Sequence, residues 1–345
     1  GETRVIRMGY GADELYTQWA IQSLALWQEF EQRSGLRLFH RTGVLWLGTE
    51  GDSYTESAFQ VMTRSGVPCE RLDQAEVRRR YPQLRFEDVT FAVLERESGL
   101  LMARRAVQAV VAEAVRNGVE YIQAAVQPPV PAGSSSGAGL AELKLSSGET
   151  LTAGAFIFAC GPWLPKLFPQ VLGGRIFPTR QEIFFLGPPA SSDGFRPPKM
   201  PVWLHHSHPD IPYSLPDVEG RGFKLAFDRH GPAFDPDDGA RVIGQESVAH
   251  LRAFLGRHIP ELAQAPIVET RVCQYENTSN GDFLIDRHPE MENVWLVGGG
   301  SGHGFKHGPA VGVYVTGLVI ESPRVAAEPR FSLATKQVRQ ERAVW

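Results

Sequence analysis

The chain has 345 residues, of which 42% are hydrophobic and 35 are glycine, enough for a large core and for two domains sharing an interface. With 35 basic and 39 acidic residues the formal net charge is −4, which indicates neither a nucleic-acid-binding face nor an acidic disordered tail. No run of about 18 apolar residues is present, so no membrane span is expected. Cys69, Cys160 and Cys273 are widely spaced and form no CxxC pair, which excludes a disulfide framework and fits a reducing, cytoplasmic setting.

In chain order, Asp13 is placed to cap a helix carrying Tyr16, Ala20, Leu24, Trp27 and Glu31, and Gly35 to close it. Residues 42–48 read as a strand, 53–66 and 73–80 as helices, and Asp88 to Leu94 as a strand. The basic run Arg78-Arg79-Arg80 reads as a solvated helix end. Ala103 to Asn117 predicts a helix with an apolar face of Val107, Val110, Val111, Ala114 and Val115, stopped by Gly118. A short strand is expected over Val119 to Ile122. Pro128 to Gly139 is a Pro/Gly/Ser-rich surface loop, and 141–145 with 150–153 form a hairpin across Ser147-Gly148. Residues 155–160 are apolar without alternation, as in a parallel strand buried on both faces. A second such run, 294–297, leads into Gly298-Gly299-Gly300, after which Pro309 can open a helix bearing Val311, Val315, Leu318 and Val319. Between the two runs, residues 179–275 are rich in strand-forming and aromatic residues.

Gly298 to Lys306 (GGGSGHGFK) carries the most chemical information. A strand ending in glycines before a helix gathers backbone N–H groups at one point, suited to an anion or to the electron-rich edge of a ring. It is not a phosphate loop of the GxxxxGK[ST] type, because His307 follows Lys306 and the glycine spacing differs. His205, His206 and His208 lie close together without evident partners for a metal, and exposed loop histidines are the expectation there.

Ser301-Gly302-His303-Gly304-Phe305-Lys306, preceded by Phe283-Leu284-Ile285-Asp286-Arg287-His288-Pro289, resembles the C-terminal signature of the monomeric sarcosine oxidase and N-methyltryptophan oxidase family, within the D-amino-acid-oxidase-like flavoproteins. Residues 3–7, 42–45, 159–163, 222–225 and 273–275 fall in the family's order, so the resemblance runs along nearly the whole chain. It implies an α/β (α+β) fold: a Rossmann-like FAD-binding domain of residues 1–37, 104–176 and 280–333, interleaved with a mostly antiparallel β substrate domain flanked by helices, residues 38–103 and 177–279. Residues 334–345 are a tail.

The resemblance also implies roles. Gly300, Ser301, Gly302, His303, Gly304, Phe305 and Lys306 lie against the flavin of FAD, with Arg4 and Trp163 as further cofactor contacts. Cys273 corresponds to the cysteine that joins the flavin by a thioether. Arg7 and Lys306 bind the substrate carboxylate, chemistry that suits a guanidinium and an ammonium. Lys224 stands where oxygen is reduced, since a fixed cation stabilises developing peroxide charge, and Tyr213 and Tyr275 line the substrate pocket. Asp228 replaces a family histidine, with His230 nearby. The family's opening GxGxxG unit does not occur in this chain, so roughly 30 residues are missing by comparison and weak FAD binding is expected of the chain as given. The expected function is oxidation of a secondary amine or N-alkyl amino acid, a small molecule, to the imine, with O2 reduced to hydrogen peroxide. A dehydrogenase of the same fold, or a non-catalytic chain needing a partner, are the alternatives.

Overall fold

The computed structural model describes residues 2–131 and 139–338. Residues 132–138 of the expected surface loop and 339–345 of the expected tail lie outside the described residues. The chain opens with β1 (Thr3–Ile6) and then α1 (Glu14–Ser34). The Asp13 carboxyl accepts from Tyr16 N, and Gly35, at φ 68°, ends α1 with its N–H on the Glu31 carbonyl, both as the sequence predicts. There follow β2 (Phe39–His40), β3 (Val44–Thr49), α2 (Ser53–Arg64), β4 (Cys69–Asp73), α3 (Gln74–Arg80), β5 (Val89–Glu95), β6 (Gly99–Met102) and α4 (Ala103–Arg116). Asp52 and Asp73 cap α2 and α3 through their side chains, satisfying N–H groups that the first turn leaves open.

The remainder comprises β7 (Leu143–Lys144), β8 (Thr150–Leu151), β9 (Phe156–Phe158), α5 (Leu164–Leu167), α6 (Pro169–Leu172), β10 (Ile176–Leu186), β11 (Val202–Leu204), β12 (Pro212–Leu215), β13 (Phe223–Phe227), α7 (Gln245–His258), β14 (Ile267–Thr278), β15 (Leu284–Arg287), β16 (Val294–Gly298) and α8 (Gly308–Val319). The fold is thus mixed α/β, and among the described residues no helix is long and apolar enough to cross a membrane.

Two compact units divide the chain. The first comprises residues 1–110, 181–229 and 240–273. Its main sheet is ordered β14-β10-β13-β12-β11-β3-β5-β4; from β10 to β4 the pairs are antiparallel except where β11 runs parallel to β3. Alternation assigns each side chain a face. Phe184, Leu186, Phe223 and Leu225 enter one apolar core with Leu251, Phe254 and Leu255 of α7 and Val77 of α3. Each such side chain contributes about 1.5–3 kcal/mol on burial. A smaller sheet, β1-β6-β2, is antiparallel throughout.

The second unit comprises residues 111–180, 230–239 and 274–345. Its sheet is β15-β16-β9, with β16 parallel to β9 and antiparallel to β15. Phe156, Phe158, Leu164, Phe168, Val294 and Leu296 build its core. α8 buries Ala310, Val315 and Gly317.

Three expectations need correction. β9 is parallel but buried on one face only, with Ile157 49% exposed; its neighbour β16 takes the other side of the hydrogen bonding, while no layer among the described residues covers Ile157. Residues 119–122 form no strand and are exposed, because no strand among the described residues runs beside them. In α4 the buried stripe is Ala103, Ala106 and Ala109, while Val107, Val110 and Val115 are exposed. Small side chains let the helix approach its neighbours closely, and the larger valines on another face find no cover there. Ala106→Leu is therefore expected to cost about 1–3 kcal/mol by overpacking, and Val107→Ala less than about 0.5 kcal/mol. Urea denaturation of both variants checks this; equal costs would reassign the packed face.

Candidate functional site

In the first unit, β13 pairs with β10 and β12 so that Phe185 and Leu215 lie opposite Lys224, and Ile183 and Tyr213 opposite Ala226. These residues share the face that turns away from the main core. Ile183, Phe185 and Ala226 form a small apolar cluster there, with Tyr213 and Cys273 packed against it. Lys224 is 2% exposed. Its Nζ donates to the Thr3 carbonyl at 3.1 Å and lies 5.7 Å from the Tyr213 ring centroid. Arg4 Nη1 donates to the same carbonyl at 2.9 Å. Burial first, and then the Arg4 charge, draw the Lys224 ammonium down to about 7, against the opposing pull of Cys273 and Asp228. The Cys273 thiol forms no disulfide among the described residues. Burial raises it, but nearby positive charge, Arg4 foremost, brings the net shift downward. Arg271, two residues away on β14, is instead paired with Glu269 and Glu2. Four of the expected residues, Arg4, Tyr213, Lys224 and Cys273, are thus brought together.

Arg7 follows β1 and is 5% exposed. Its guanidinium donates to the Gly9 carbonyl and sits 4.4 Å from the Tyr10 ring centroid and 4.8 Å from that of Trp46. The backbone beyond it is held by Glu95, whose carboxyl accepts from Met8 N at 2.7 Å, Gly9 N at 3.0 Å and Trp46 Nε1 at 2.7 Å. A side chain at Gly9 would put a Cβ 2.9 Å from the Trp46 ring, so the aromatic wall requires glycine there. Tyr10, Trp46 and Glu95 escaped the sequence reading, since an acid closing a β strand looks like an ordinary solvated end.

Of the three loop histidines, His205 is fully buried, correcting the expectation of exposure. Its ring lies edge-on to Phe86 at 5.2 Å and to His208 at 5.4 Å, while His206 stacks on Tyr54 at 4.0 Å. The aromatic partners come from segments distant in sequence, so loop composition alone misplaced them.

In the second unit the glycine loop follows β16. Gly299, Ser301 and Gly302 take positive φ values of 69°, 43° and 81°. Ser301 Oγ donates to the Gly299 carbonyl at 3.0 Å and accepts from Thr278 N at 3.2 Å, which holds a non-glycine residue in a left-handed turn. Gly302 lies against Tyr275: a Cβ there would be 2.6 Å from the ring. His303 Nε2 is 3.1 Å from the Gly281 carbonyl and its ring stacks on Phe283 at 5.0 Å. Lys306 is buried, with Nζ donating to the His303 carbonyl at 3.0 Å. Gly304, Phe305 and Lys306 form a short 3-10 turn leading into α8. Trp163 is half-exposed, and its Nε1 donates to Asp237 at 2.7 Å. A residue absent from the sequence reading, Glu276, places Oε1 3.2 Å from Gly300 N. Burial pushes its carboxyl up to about 7 in spite of the Gly300 and Gly299 amides.

Known proteins bear on this arrangement. The family described as DAO, FAD dependent oxidoreductase, matches residues 1–318. The chain is 29% identical to monomeric sarcosine oxidase of Bacillus sp. (strain B-0618) over 324 residues, 93% of this chain and 81% of that protein. It is 26% identical to N-methyl-L-tryptophan oxidase of Yersinia pestis (strain Pestoides F), over 97% of this chain and 87% of that one. Among solved structures, L-proline dehydrogenase from P.horikoshii superposes with a TM-score of 0.81 at 19% identity, covering 95% of this chain and 84% of that chain. A fructosyl peptide oxidase gives 0.78 at 19%, covering 96% and 82%. At these identities the structural likeness concerns the fold.

The Lys224 environment has a pH signature. Its folded-state value near 7 lies below its ordinary 10.5, so between those limits the unfolded chain holds a proton that the folded chain has released. Stability contributed by this group therefore rises as pH increases from about 7 to about 10.5. Lys224→Met should abolish that contribution. Chemical denaturation of parent and variant across this range measures it, and identical pH profiles would show that Lys224 keeps its proton in the fold.

Proposed function

Because the chain belongs to the DAO family of FAD-dependent oxidoreductases, we propose that it oxidises a secondary amine, specifically an N-alkyl amino acid, to the imine and reduces O2 to hydrogen peroxide. The names of the sarcosine and N-methyltryptophan oxidases support an N-methylated amino acid as substrate class. The observation that carries the oxidase reading is the buried amine of Lys224 beside Arg4 and Tyr213.

The residues present fit FAD. Strands β9 and β16 run parallel and end together at Gly161 and the Gly298–Gly302 turn. The carboxyl ends of parallel strands are where open α/β sheets take nucleotide cofactors, and left-handed turns present their amides as a concave donor surface. We propose that Gly300, Ser301, Gly302, His303, Gly304, Phe305 and Lys306 contact FAD, as do Arg4 and Trp163, and that residues 1–37, 104–176 and 280–333 serve cofactor binding while 38–103 and 177–279 serve the substrate. Bound FAD would supply the acceptor for a hydride equivalent from the carbon next to nitrogen. Arg7 would bind the substrate carboxylate bidentately, and Lys306 would add a second cationic contact. Tyr213 and Tyr275 would orient the substrate. Lys224 would stabilise negative charge developing on oxygen, and Cys273, its thiol drawn downward by Arg4, would carry the covalent link.

A second reading, transfer of electrons to an acceptor other than O2, has the proline dehydrogenase fold in its favour. Lys224→Met separates the two. In stopped flow, reduction by an N-methyl amino acid should change little, while reoxidation by O2 should slow about a hundredfold or more. Unchanged reoxidation would remove Lys224 from oxygen chemistry. Arg7→Ala should weaken carboxylate-bearing substrates roughly 10- to 100-fold relative to the decarboxylated amine; equal losses in steady-state kinetics would show that Arg7 is not the anchor. Acid precipitation of the flavin-loaded protein should leave yellow colour on the peptide containing Cys273, and release of all flavin would refute the thioether.

A further inference from the structure

Glu276 occupies an unusual position for an acid. It lies in the second unit near the end of β14, where its neighbours Asn277, Thr278 and Ser279 are buried and hydrogen-bonded. Its Oε1 accepts from Gly300 N at 3.2 Å, and its own carbonyl accepts from Ser301 N at 3.1 Å. Its Oε2 is shielded from solvent and has no hydrogen-bond partner among the described residues. A buried oxygen left without a hydrogen bond is costly, so its retention calls for a partner.

The surroundings indicate where that partner comes from. A Cβ on Gly298 would stand 3.1 Å from Oε2, and one on Gly161 3.9 Å from it. The orphaned oxygen therefore lies between the glycine turns that end β9 and β16. No cationic side chain among the described residues offsets its burial; the β16 loop offers the amides of Gly299 and Gly300. At the end of β9 the Cys160 thiol is pushed up by burial first and by the charge of Glu276 second.

We propose that Glu276 is a cofactor-binding residue: the Gly300 amide anchors one carboxyl oxygen, and the other, carrying a proton, donates a hydrogen bond to an acceptor atom of bound FAD. The inference rests on FAD being the cofactor and not on which amine is oxidised. The carboxyl, pushed up to about 7, holds its proton below that pH and loses it above. Ionisation removes the donor and sets a negative charge against an acceptor. FAD affinity should accordingly fall as pH rises through about 7.

The test is equilibrium binding of FAD, read by quenching of flavin fluorescence, to the full-length protein carrying Cys273→Ser so that binding is reversible. With Glu276 present, affinity should drop about tenfold between about pH 6 and about pH 8.5. Glu276→Gln keeps a donor that does not titrate in this range, so its affinity should stay near the low-pH value throughout. Glu276→Ala should bind about tenfold more weakly than the parent at about pH 6. An unchanged pH dependence in Glu276→Gln, tighter binding at high pH in the parent, or parental affinity in Glu276→Ala would each overturn the proposal. Should Glu276→Ala not fold, as judged by circular dichroism, the Glu276→Gln profile decides alone. Failure here with FAD still bound leaves the flavoenzyme reading intact, because the parent's binding is measured in the same experiment.

Discussion

Side-chain alternation along β13 separates a packed face from a chemical one. Phe223 and Leu225 close against α7, which commits Lys224 and Ala226 to the opposite side beside Ile183, Phe185 and Tyr213. A one-residue slip in this register would exchange the two sets and put an ammonium into the apolar core. The core thus fixes the address of Lys224, and desolvation at that address lowers its proton affinity.

Buried charge is treated in contrasting ways. Glu95 is surrounded by donors from the backbone after β1 and from Trp46, so it braces the wall on which Arg7 lies. Lys224 has a carbonyl and an aromatic face, with a like charge nearby. Glu276 keeps one oxygen without a hydrogen-bond partner among the described residues. Fully satisfied groups give rigidity, whereas incompletely satisfied ones have shifted proton affinity and capacity left for a ligand. Glu95 belongs to the first kind, and Lys224 and Glu276 to the second.

A fold of this type hosts more than one electron acceptor, so architecture alone does not specify the chemistry. The features on which the proposed reading rests are local: the buried Lys224 amine beside Arg4, the Arg7 guanidinium against the Tyr10 and Trp46 rings, and the left-handed turn at Gly299, Ser301 and Gly302. Asp228 favours the charged forms of both Arg7 and Lys224. Its charge therefore acts on both cations.

Much of the fold is legible in the chain itself wherever the deciding force is local. Asp13 and Gly35 bound α1 because capping involves neighbours three or four residues away, and the apolar runs before Gly161 and Gly298 announce paired parallel strands. The sequence motifs also named Arg4, Tyr213, Lys224 and Cys273, which share one environment. Tertiary structure decided the rest. α4 offered an alanine stripe and a valine stripe, and only the neighbouring elements select which is covered. Glu95 meets Met8 across 87 residues of sequence, and Glu276 meets the glycine turn across 24. Whether an acid is a brace, a proton holder or a solvated end depends on which donors face it and how much water is excluded, and both follow from contacts between segments that periodicity and spacing do not record.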